Sequence, residues 1–136
     1  PNRRFTTWRA TTPTAATGTV PPDLFGALRQ MLLRHGDGLL VVHDTGQHFY
    51  ANCRRPGANG KAQFFAAVKV SGRRHAFHLM PVYDFPELLA GISPALKQHM
   101  QGKSCFNFEH WDDALLQQLQ ALVDQGAARY VAEGRL

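Results

Sequence analysis

From Ala62 to Met80 the chain reads AQFFAAVKVSGRRHAFHLM, and apolar side chains recur at every second position on both sides of Ser71-Gly72-Arg73-Arg74. A period of two is the signature of a strand with two unlike faces. Pairing across the turn sets Val70 opposite His75, Val68 opposite Phe77 and Ala66 opposite Leu79. With Phe64, these residues make an apolar face that must lie against a core. The opposite face carries Phe65, Ala67, Lys69, Ala76, His78 and Met80. Lys69 and His78 stand there diagonally across two alanines.

Elsewhere the period changes. Leu24, Leu28, Met31 and Leu32 recur at helical spacing behind Pro21-Pro22-Asp23 and before Gly36, which predicts a first helix. Leu39–His43 and Gln47–Cys53 read as strands around Asp44-Thr45-Gly46, expected to form a three-residue loop. The loop Arg54–Lys61 leads to the hairpin, whose second strand Pro81 ends. Pro86 and Pro94 start short helices over Glu87–Ala90 and Ala95–Met100, and Lys103–Phe108 reads as a fifth strand. Trp111, Leu115, Leu119, Leu122, Val123 and Tyr130 form one stripe of a last helix over 111–131, with Asp112 and Asp113 where the helix dipole favours negative charge. The sum is an α+β domain. An antiparallel sheet of about five strands is packed on one face by the N-terminal and C-terminal helices.

Residues 1–20, with TTPTAATGT at their centre, read as a flexible low-complexity leader before a single domain over 21–136. At 44% hydrophobic and 18% charged, composition is that of an ordinary globular chain. The absence of a long apolar run or signal sequence gives the expectation of a cytoplasmic protein without membrane attachment. The net charge of +5 is unevenly placed: Arg3, Arg4 and Arg9 give +3 in residues 1–22, and the remaining 12 basic and 10 acidic residues give +2. The pairs Arg54-Arg55 and Arg73-Arg74 lie at opposite ends of a strand, about 25–30 Å apart at strand rise. With Phe64 assigned to the core, a base-stacking surface lacks its rings, and nucleic acid is not an expected partner.

The run HAFHLMPVYDFPELLAGISPALKQHMQGKSCFNF (75–108), followed by an amphipathic helix, resembles the YdhG-like family of small bacterial proteins, a domain of unknown function with some members labelled frataxin-like. The resemblance implies an α+β fold with a curved antiparallel sheet and brings no catalytic residues. Frataxin-type iron binding depends on a ridge of carboxylates along the first helix. Here that helix offers Asp23 alone, then Arg29 and Arg34, whereas hard cations need several converging oxygens.

The candidate chemistry therefore centres on Lys69 and His78, with Tyr83 and Lys103 as additions. A lysine beside an imidazole suits a carboxylate or phosphate, and the expected role is a non-enzymatic binding protein for a small anionic ligand or a partner, without a cofactor. The alternatives are an iron carrier of frataxin-like type, an enzyme using Lys69, His78 or Cys105, and a homo-oligomer joined through Phe65 and Met80 or through an outer strand. Among the seven histidines, a three-residue loop sends His43 and His48 to opposite faces, and His75 and His78 also diverge. Asp44-Thr45-Gly46 matches the core of the aspartic-protease signature, but a turn accounts for all three residues. Cys53 and Cys105 have no zinc-like spacing and no sequence support for a disulfide.

Overall fold

The computed structural model describes residues 23–57 and 59–136; the expected leader lies outside them. The elements in chain order are α1 (Leu24–Leu33), a 3₁₀ turn (Gly36–Gly38), β1 (Leu39–Asp44), β2 (His48–Cys53), β3 (Phe64–Ser71) and β4 (Arg74–Leu79). There follow α2 (Met80–Asp84), a second 3₁₀ turn (Pro86–Gly91), α3 (Pro94–Lys97), β5 (Met100–Gln101), β6 (Cys105–Phe108) and α4 (Asp113–Ala132). The strands form one antiparallel sheet in the order β1-β2-β3-β4-β6-β5. The fold class is the expected one, with a two-residue strand added beside the fifth.

The β3–β4 hairpin has the register its alternation predicts, Val70 with His75, Val68 with Phe77 and Ala66 with Leu79. Gly72 turns the chain at φ +62°, a conformation that costs a side-chain-bearing residue but not glycine. Val68, Phe77 and Leu79 are fully buried beneath the helices, together with Phe49 of β2 and Phe106 of β6. Leu28 and Leu32 of α1 and Leu119, Leu122 and Val123 of α4 close the layer from above. Full burial of each such side chain is worth about 1.5–3 kcal/mol before ordering entropy is subtracted.

Two β-bulges overturn local expectations. In β3, Ala66 pairs with Ala51 and Phe64 with Asn52, so Phe65 is the extra residue. The bulge exchanges the faces of the two phenylalanines. Phe65 is fully buried with its ring edge-on to Tyr130 at 5.8 Å, whereas Phe64 stacks on Tyr50 at 4.8 Å on the uncovered face. A self-association surface through Phe65 is thereby removed. In β1 the extra residue is Val42, between the pairs Val41–Ala51 and His43–Tyr50. Asp44 then pairs with Phe49, leaving four residues between them where three were expected, and Thr45 closes the loop by accepting from the His48 amide at 3.0 Å.

The sequence also placed several boundaries differently. Met80 and Pro81 belong to α2, because proline suits a first helical turn better than a ladder. Met100 leaves the predicted helix and pairs with Phe106, and Lys103 lies in the β5–β6 turn rather than on a strand. Trp111 precedes α4, is 40% exposed, and donates from its indole to Asp113; Asp112 caps the helix by accepting from the Leu115 amide at 3.1 Å.

Polar contacts fix the helices to the sheet. Arg29 of α1 grips Asp44 at the end of β1 through Nε and Nη2, at 2.8 and 2.7 Å. His35, just past the end of α1, bonds Asp124 of α4 at 2.7 Å, and Gln120 one turn earlier on α4 braces the same carboxylate at 3.0 Å. At the far end, the Tyr130 hydroxyl and Arg135 (2.8 Å) both donate to Asp84, so the end of α4 clamps α2. Gly126 faces α2 directly, and a Cβ there would stand 2.9 Å from the Pro81 side chain. Because α2 continues β4 without a loop, this clamp also fixes the strand that carries His78.

Candidate functional site

The helices cover one face of the sheet and the strand pairing orders the other. His43, Tyr50, Ala67, His78, Cys105 and Gln101 form one cross-strand row, in the order of the strands themselves. Beside it runs a second row, His48, Lys69, Ala76 and Asn107. Lys69 and His78 are both exposed and emerge on the same face, diagonally across buried Ala67 and half-buried Ala76. The two short side chains leave the lysine and the imidazole as the tallest groups of this patch.

His43 and His48, expected on opposite faces, are stacked with ring centroids 5.1 Å apart and planes at 20°. The longer loop brings them together: with Asp44 opposite Phe49, His43 falls opposite Tyr50 and so on the face of His48. Tyr50 stands edge-on to both, at 6.0 and 6.2 Å, and stacks its own ring on Phe64. Partial burial holds the His48 pKa below its ordinary value, and the neighbouring His43 and Lys69 depress it further.

The remaining predicted residues lie apart. Tyr83, 52% exposed, is on α2, and Lys103 is at the tip of the β5–β6 turn; neither belongs to the two rows. His48 and Tyr50 were within reach of sequence reasoning, because Phe49, Ala51 and Cys53 alternate with them as the apolar set of β2. His43 depends on the loop length and Phe64 on a bulge, and alternation announces neither.

Other chemistry finds less support in the geometry. Burial pushes the Cys53 thiol up to about 11. The Cys105 thiol is also raised by burial, with Arg74 opposing, and the two cysteines are unbridged. A thiol so disposed is a poor nucleophile. Asp44 is held as a carboxylate by Arg29, which lowers its pKa, so it is ill suited to share a proton in a protease dyad. Among the described residues no three or more His, Cys, Asp or Glu side chains converge as a metal site, and no helix is long and apolar enough to cross a membrane. No protein-family model matches the chain, and neither the curated proteins nor the solved structures contain a match to it.

Proposed function

We propose that this chain is a non-enzymatic binding domain whose uncovered sheet face takes a small anionic ligand, with a cytoplasmic location as part of the same reading. The supporting observation is the placement of Lys69 and His78 over Ala67 and Ala76, in two rows of residues that contain no carboxylate. An ammonium and an imidazole on a small-residue floor can direct several N–H donors at one oxyanion without a neighbouring acid competing for them. The resemblance to YdhG-like proteins adds no ligand of its own.

The test uses inorganic pyrophosphate, followed by NMR of the full chain. Shifts concentrated at Lys69, Ala76 and His78, and an affinity about tenfold weaker in Lys69→Ala at unchanged thermal midpoint, are the expected results. Absence of shifts at millimolar pyrophosphate would overturn the reading. So would a Lys69→Ala variant with undiminished binding. Strong destabilisation by Lys69→Ala would mark the lysine as a structural group instead.

A further inference from the structure

Resting on that reading, we infer that the anion is part of a single-stranded nucleic acid, whose bases stack on Tyr50 and Phe64 while its phosphates meet Lys69 and His78. Half of the uncovered face is unexplained by a simple phosphate. The Tyr50–Phe64 pair, with planes at 29°, lies against the stacked imidazoles of His43 and His48, and all four rings sit on the face that lacks a helix. Rings placed there can offer π-surface to a flat partner. A small inorganic anion would leave them unused.

Charge and dimensions favour the same occupant. Lys69 stands next to His48 in its row, His78 is two strands from Tyr50, and Arg74 projects from the same face of β4. Glu109 lies at the corner of this surface, beside Arg73 and Arg74. From β1 to β4 the face spans three strand spacings, about 14 Å, the scale on which a sheet surface stacks two or three bases. The rings cluster on β1, β2 and the start of β3, and the cations on the end of β3 and on β4, so a strand lying along their boundary would turn its bases to the rings and its backbone to the cations. The Phe65 bulge is the feature that makes the platform: without it Phe64 would point into the core and Tyr50 would have no partner ring.

The test is fluorescence anisotropy of the full chain with labelled heptamers of deoxythymidine and uridine, beside an abasic heptamer of equal phosphate count. The base-bearing strands are expected to bind at least about tenfold more tightly than the abasic one. Phe64→Leu keeps a branched apolar side chain but removes the ring; it should weaken heptamer binding about tenfold and leave pyrophosphate binding unchanged. Tyr50→Leu tests the second ring in the same way, with thermal melts verifying that both variants fold. Arg3, Arg4 and Arg9 would attract any polyanion, but they are intact in both variants, so the ring substitutions carry the decision. Equal affinity for abasic and base-bearing strands, or no effect of either ring substitution, would overturn the nucleic-acid inference while leaving the anion site standing. Tighter binding of duplex than of single strand would overturn it too. Failure of both pyrophosphate and the heptamers to bind would overturn the anion site as well.

Discussion

Phe64 and Phe65 are chemically identical neighbours, and the bulge predicts that replacing them has very different consequences. Phe65 is fully buried against Tyr130, so Phe65→Ala removes a core ring and leaves a cavity, at a cost of about 3–5 kcal/mol. Phe64 is half-buried and its main partner is one ring, Tyr50. Loss of an aromatic pair costs about 0.5–1.5 kcal/mol, and the half of the ring's burial that is lost adds about as much again. The two variants should therefore differ by about 2 kcal/mol. Urea unfolding, followed by far-UV circular dichroism, resolves this as a separation of about 1 M between the two midpoints, given slopes of about 1–3 kcal/mol per molar. Phe65→Ala should have the lower midpoint. Regular alternation through residue 64 demands the reverse order, because it sends Phe64 inward. Equal midpoints, or a lower one for Phe64→Ala, would refute the bulge and with it the stacking platform.

Asp44→Asn should lower the thermal midpoint slightly at neutral pH by breaking the pair with Arg29. Since the folded-state pKa of Asp44 lies below its ordinary 3.8, the wild-type advantage should be complete above that value and disappear as pH falls through the depressed one; midpoints of both proteins across an acid series check this. With a thiol-reactive chromogenic disulfide near pH 7.5, both cysteines should react far more slowly than free cysteine, half-buried Cys105 before buried Cys53, and rapid labelling of Cys105 would return the enzyme reading to contention. Tyr130→Phe removes the hydroxyl that donates to Asp84 and should cost about 1.5–3 kcal/mol in chemical denaturation, Arg135 continuing to hold the carboxylate.

Local pattern made much of this fold legible. The register from Ala66 to Leu79 follows from alternation and one turn, and the buried positions of α1 and α4 follow from helical spacing. Lys69 and His78 could be placed on one face for the same reason. The features that escaped are those decided by distant partners. Whether β3 gains a bulge at Phe65 depends on Tyr130 and on the pairing of Ala51 with Ala66, neither of which the strand's own sequence contains. The His43–His48 stack was missed because one extra loop residue reverses facing. Trp111 fits the helical stripe in spacing, yet Asp112 as cap starts the helix after it.

The contact between Gly126 and Pro81 bears on any attempt to make this protein sturdier. A glycine in mid-helix is a routine target for replacement by alanine, a change that elsewhere gains about 0.5–1 kcal/mol. Here the added methyl would wedge α4 away from α2, since only 2.9 Å separates its position from the proline ring. The displacement would be passed along β4 to His78. Gly126 therefore serves as a spacer of zero thickness, and an alanine there would detune the outer surface from the opposite side of the sheet.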